Sequence, residues 1–231
     1  MLSSKAYDLV ASDYNTTYTK PSDIGEDNAI ISWLNQNRFL RGDVLDVGCG
    51  TGLLAKLSEV NPVRYFGIDP SEQMLNIARQ DLPEFNFGLA SAENMSEVVG
   101  EDAFDSVVSL YGPVSYAKDQ EVARQELYKV LKPTGRFCLM VYGPAGFSRV
   151  LKSLAEEVDV KRWQGQEAFT FFDELFTDVH VRGVGGSELV NFFDDKRFIR
   201  CAERLTEIEL CIDNFEYINK CRFLVVYGRK Y

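Results

Sequence analysis

Residues 43–52 read DVLDVGCGTG. Val44, Leu45 and Val47 form an apolar run that reads as a buried strand. Gly48, Gly50 and Gly52 follow at every second position, with Asp46 just ahead of them. No other feature limits the possible folds so strongly. In an open parallel sheet, small ligands bind at the carboxyl ends of the strands, where the strand order reverses. Glycines in the first strand-to-helix turn let that turn close tightly and let a ligand touch the backbone. A turn with no ligand would need one glycine, not three.

The rest of the chain supplies the sheet. Strands are expected at 64–69 (RYFGID), 85–90 (FNFGLA), 104–110 (FDSVVSL) and 136–142 (RFCLMVY). Helices are expected at 24–37, in LLAKLSEV after the glycines, at 70–80 and at 118–132. The last of these should turn Val122, Leu127, Val130 and Leu131 inward, and Pro133-Thr134-Gly135 reads as a turn. Near-continuous apolar strands alternating with helices predict a parallel sheet covered on both faces. The first twenty residues, with Tyr7, Tyr14 and Tyr18, read as a short helix and an irregular arm. After Gly143 the rhythm breaks into an aromatic, helical stretch to residue 176, carrying Phe147, Trp163, Phe169, Phe171, Phe172 and Phe176. A strand at 178–184, a helix at 187–205 and a final strand at 221–230 complete the chain. With 231 residues, a single α/β domain over 1–231 is expected.

Three ligands compete for the glycine turn. A triphosphate loop needs G-x-x-x-x-G-K-[ST], and Thr51-Gly52-Leu53 offers no lysine. A dinucleotide turn wants G-x-G-x-x-G, and Leu53 stands where its third glycine belongs. S-adenosylmethionine has no phosphate, and its sulfonium suits a site free of positive charge. Asp46, with no Lys or Arg over 43–55, fits that cation. The second strand ends at Asp69, nineteen residues after Gly50, where a carboxylate can accept from both ribose hydroxyls. Asp69 also has the form of a helix N-cap, with Pro70 next and Glu72 three residues on. A nicotinamide dinucleotide would use the same acid.

Charge and composition narrow the partners. The formal net charge is −10, and no Lys/Arg run marks a basic patch, so nucleic acid is not expected as a partner. The five cysteines form no C-x-x-C pair, so neither a disulfide framework nor a metal site is expected. The first residues lack the apolar core of a secretion signal, and no stretch reaches the roughly 18 apolar residues of a membrane span. A cytoplasmic protein without membrane contact is expected.

Residues 44–52, 65–75, 90–94, 104–110 and 131–135 together resemble the class I S-adenosylmethionine-dependent methyltransferases, small-molecule type. VLDVGCGTG is similar to the first motif of that family, FGIDPSEQML to the second, LASAEN to the third, FDSVVSL to the fourth and LKPTGR to the turn before the fifth strand. The resemblance implies a doubly wound, mostly parallel seven-stranded α/β sheet, a Rossmann-like methyltransferase fold whose last strand, CRFLVVYGRK, is antiparallel. It implies S-adenosyl-L-methionine as methyl donor and S-adenosyl-L-homocysteine as product. Gly48, Cys49 and Gly50 would line the methionine part, Asp69 would bind ribose, and Pro70 and Met74 would pack on adenine. Ala92 would offer its amide to an adenine nitrogen, and Ser91 stands where the family often has aspartate. Leu110 and Tyr111 would face the sulfonium. Residues 1–21, with Tyr14, would form an arm over the cofactor, and 143–215 would be a lid containing the strand near 178–184.

Methyl transfer from a sulfonium is a direct displacement, so the protein mainly aligns donor and acceptor. A base is needed only when the acceptor must lose a proton. Tyr14, Tyr111 and Tyr116 are the catalytic candidates; the sole histidine, His180, reads as a strand or surface residue. LYGPVSY (110–116) lacks the [DN]-P-P-[YF] sequence of nucleic-acid amino-methyltransferases, and the Pro-Cys nucleophile of cytosine C5 enzymes is absent too. Both absences favour a small-molecule acceptor. In the aromatic stretch 163–198, the helical spacing of Phe169, Phe172 and Phe176 suits a core, while its place in the family's lid suits an apolar acceptor pocket. Two other functions stay open: a cofactor-binding protein without turnover, suggested by Ser91 and the lack of an obvious base, and an NAD-dependent reductase.

Overall fold

The structure, a computed structural model, describes residues 2–146, 160–186, 219 and 221–231. At its centre lies β1 (Val44–Val47), buried along its whole length. β2 (Tyr65–Asp69), β3 (Asn86–Leu89), β4 (Phe104–Ser109), β5 (Leu131–Tyr142), β6 (Thr177–Gly186) and β7 (Cys221–Arg229) join it in one sheet, ordered β3-β2-β1-β4-β5-β7-β6. β1 pairs in parallel with β2 on one side (Val44 with Tyr65) and β4 on the other (Val44 with Ser106). The strand order therefore reverses beside β1, which opens a crevice at its carboxyl end. β7 runs antiparallel to β5 and β6, as expected for the last strand.

Helices cover both faces. α1 (Leu2–Thr17) is one continuous helix, where a short helix and an irregular arm were expected. α2 begins at Pro21 and runs to Gln36, because proline suits the first helical position, where its missing N–H costs nothing. α3 (Leu53–Leu57) follows the glycines, and α4 (Glu72–Asp81) follows β2. α5 (Met95–Val99), too short to show a period, had no sequence signal. α6 spans Gln120–Val130, capped by Asp119, which accepts from the amides of Glu121 and Val122. Its inner stripe is Ala123, Leu127 and Val130, at i, i+4 and i+7. Val122 lies off that stripe and is 41% exposed, against expectation.

β5 starts earlier than expected. Leu131 pairs with Phe104, and the Pro133–Gly135 turn forms an irregularity within the strand, with Thr134 at φ +64°. Among the described residues of the stretch expected to be helical over 143–176, the helix α7 covers Gly165–Asp173. Its first turn is closed by Glu167, whose carboxylate accepts from the Gln164 amide at 3.3 Å. Phe172 and Phe176 then pack on Phe137 of β5, with ring centroids 5.6 and 4.6 Å away, and Trp163 packs on Phe171 at 5.0 Å. These rings belong to the hydrophobic core on one face of the sheet. Phe147 and the helix expected at 187–205 lie outside the described residues.

Candidate active site

The crevice at the end of β1 holds a cavity of about 290 Å³. The three glycines shape it in different ways. Gly48 has φ +73°, and a Cβ there would stand 2.2 Å from the Pro113 ring. Gly52 lies against α4: a Cβ there would meet Leu82 at 2.6 Å. Gly50, at φ +54°, has nothing within 4 Å of where a Cβ would be. Two glycines thus let the loop pack closely, and the third leaves bare backbone facing open space.

Asp69 ends β2 beside that loop. Its Oδ2 accepts from the Gly50 amide at 2.9 Å and its Oδ1 from the Ser71 amide at 2.8 Å. The helix cap expected of Asp69 falls instead to Ser71, whose Oγ accepts from the Met74 amide at 3.2 Å. Pro70 therefore precedes the cap and is not the first helical residue. Freed from capping, each Asp69 oxygen keeps a lone pair for a further donor. Burial raises its pKa to about 6, against the pull of the Ser71 and Gly50 amides. Asp46 is more deeply buried, accepts from the Tyr65 hydroxyl at 2.7 Å, and is raised by burial to about 7. Burial, reinforced by Asp46 and Asp69, also pushes the Cys49 thiol well up, so it stays protonated.

At the β3 end, the Ser91 hydroxyl donates to Asn94 Oδ1 at 2.9 Å and accepts from the Glu93 amide at 3.3 Å. Its proton is committed locally, while Ala92 and Glu93 line the cavity with it. At the β4 end, Tyr111 has φ +62°, and its hydroxyl donates to the Asp27 carboxylate. The Tyr116 hydroxyl lies 3.3 Å from that of Tyr7 and 3.1 Å from that of Tyr142. Burial drives the phenols of Tyr14, Tyr111 and Tyr116 well up from their usual value. At neutral pH these tyrosines are protonated hydroxyls and ring walls, unsuited to act as phenolate bases.

All the candidates, Tyr14, Asp46, Gly48, Cys49, Gly50, Asp69, Pro70, Met74, Ser91, Ala92, Leu110, Tyr111 and Tyr116, line this one cavity. Sequence reasoning missed the wall facing them. α2 supplies Asp23, Glu26 and Asp27, and the start of β7 supplies Arg222 and Phe223. Arg222 Nη2 donates to both Glu26 oxygens, at 2.6 and 2.8 Å. The acids in DIGED recur at i, i+3 and i+4, which is the available signal. The aromatic rings of 163–176 do not reach the cavity, because they fill the core instead. His180 is exposed on β6, stacked on Tyr227 at 4.9 Å. Among the described residues, no group of three His, Cys, Asp or Glu side chains could hold a metal ion.

This is the Rossmann-like fold of methyltransferases. Over 98% of its length the chain superposes on 99% of a SAM-dependent methyltransferase of Thermotoga maritima, with a TM-score of 0.61 and 18% identity. Residues 44–135 match the family model of a methyltransferase domain. The ubiquinone/menaquinone biosynthesis C-methyltransferase UbiE of Campylobacter jejuni is 28% identical over 134 residues, 52% of this chain and 56% of that protein. The malonyl-[acyl-carrier protein] O-methyltransferase of Calditerrivibrio nitroreducens is 32% identical over 111 residues, 47% of this chain and 41% of that one. The chain spans only 30% to 56% of the length of the first curated relatives it matches. Residues 44–135 thus carry a methyltransferase domain, and the chain around them has the fold of the class I S-adenosylmethionine-dependent methyltransferases.

Proposed function

We propose that the chain transfers the methyl group of S-adenosylmethionine to a small-molecule acceptor by direct displacement. The observation that carries this reading is the convergence of the glycine loop, Asp69, the Ser91–Ala92 segment and Tyr111 on one cavity. The residues fit the donor: bare backbone at Gly50, a carboxylate with lone pairs to spare at Asp69, and buried acid at Asp46. When bound, S-adenosylmethionine supplies an activated methyl group. Asp69 holds the ribose, Met74 and Pro70 pack on the base, and Asp46 favours the positive end of the donor. α1 covers the site, since Tyr7, Tyr14 and Asn15 face the cavity. What the chain itself contributes is alignment and exclusion of water. The two relatives carry C- and O-methyltransferase names, so they leave the acceptor atom of this chain open.

A methyl-tritiated donor incubated with the full chain and a pool of small amines, phenols and carbon acids tests this directly. Label recovered in low-mass products supports transfer. Donor binding with no label transferred to any pool favours a cofactor-binding protein without turnover.

A further inference from the structure

The cavity that holds Asp69 and Gly50 also has acidic and aromatic lining. α2 presents Asp23, Glu26 and Asp27 to it. Tyr116 stands nearly perpendicular to both Tyr7 and Tyr142, at interplanar angles of 84° and 90° and centroid distances of 6.0 and 5.8 Å. Perpendicular rings linked through their hydroxyls make the corner of an aromatic box, a shape that attracts cations. Around the whole cavity, six acids among the described residues face two cations, Lys118 and Arg222. Arg222 is already engaged by Glu26. Asp27 has the Tyr111 hydroxyl, an uncharged partner. S-adenosylmethionine carries one net positive charge, so its arrival leaves most of the acid excess in place.

Resting on the methyl-transfer reading above, we propose that the acceptor is an amine. It is held as its ammonium form between Asp27 with Asp23 and the rings of Tyr7, Tyr116 and Tyr142. An anionic acceptor would face this acid excess, and burying like charge together is costly. Transfer forms a nitrogen–carbon bond and breaks the carbon–sulfur bond of the donor, whose electron pair stays on sulfur. The nitrogen sheds one proton before it attacks, and the Asp27 carboxylate takes it. Burial already raises the pKa of Asp27, which suits it to accept a proton.

Calorimetry on the full chain saturated with S-adenosylhomocysteine tests this, using benzylamine, benzyl alcohol and benzoate as probes. Benzylamine is expected to bind at least about tenfold tighter than the alcohol, with no heat from benzoate. Asp27→Asn is expected to abolish the preference while S-adenosylhomocysteine affinity stays within about twofold. Tyr116→Leu, a second variant, should lower benzylamine affinity and spare benzyl alcohol. Equal binding of the three probes, or none by any, overturns the proposal. So does an Asp27→Asn variant that weakens S-adenosylhomocysteine as much as benzylamine, since the acids would then serve the donor's amino group. A chain that takes up no S-adenosylhomocysteine at all contradicts the methyl-transfer reading itself, and this proposal with it.

Discussion

Asp46 and Asp69 show how single residues set the chemistry of the crevice. An unfolded aspartate titrates at about 3.9, whereas burial pushes Asp46 in the fold up to about 7. Between those values the folded chain holds the extra proton, so ligand-free stability falls as pH rises. Asp46→Asn keeps an oxygen for the Tyr65 hydroxyl and removes this slope. Its stability gain over the parent chain should grow from near zero at about pH 4 to as much as about 4 kcal/mol at about pH 8, read by urea unfolding. The same substitution should weaken S-adenosylmethionine about tenfold and S-adenosylhomocysteine less, since only the former carries a sulfonium. Equal losses for the two ligands would remove Asp46 from the sulfonium's surroundings. Asp69→Ala should cost at least about 2 kcal/mol of binding for either ligand, as a buried set of donors loses its acceptor. Asp69 could be read from the sequence as the acid after the second strand. That it does not also cap α4 could not, because Asp and Ser are both favoured N-cap residues and only the backbone path decides between Asp69 and Ser71.

Elements differ in how plainly the sequence declares them. β1, the Val107–Val108 centre of β4 and the apolar part of β5 are short hydrophobic runs, and those were legible. α5 spans one turn and shows no period. α1 was read too short because its interior mixes Ser, Thr and Asp, which favour turns; tertiary contacts hold it helical. Those contacts tie α1 to the site. Asp8 accepts from the Ser71 hydroxyl at 2.5 Å and from the Gln73 amide at 3.3 Å, and Asn15 accepts from the Thr51 hydroxyl at 2.6 Å. Both tethers reach segments that shape the cavity. The pair Asp8→Ala and Asn15→Ala should free α1 locally, lowering S-adenosylhomocysteine affinity by about tenfold. Hydrogen exchange should quicken in α1 while the strands keep their protection. Uniform exchange across α1 and the sheet would mean that α1 opens only with the whole domain.

The whole molecule divides between a core and a crevice. Helical spacing made the rings of 163–176 legible as core, and their place in the chain as pocket; the choice depended on which strand lay beneath them. Phe137 supplies that strand, and the rings close over it. Phe137→Ala should therefore destabilise the fold by about 3–5 kcal/mol. The folded fraction should keep its S-adenosylhomocysteine affinity, because none of these rings lines the cavity. The acidic wall from α2 was the least legible part of the site, since its acids meet β7 only through folding, from nearly two hundred residues away. All of this hangs on one claim, that the crevice beside β1 is built for a methyl donor. Calorimetric titration of the full chain with S-adenosylhomocysteine and, separately, with reduced nicotinamide dinucleotide tests it most directly. One site for S-adenosylhomocysteine with a micromolar Kd, about −8 kcal/mol, and no heat from the dinucleotide are expected. Dinucleotide binding with no heat from S-adenosylhomocysteine would contradict it.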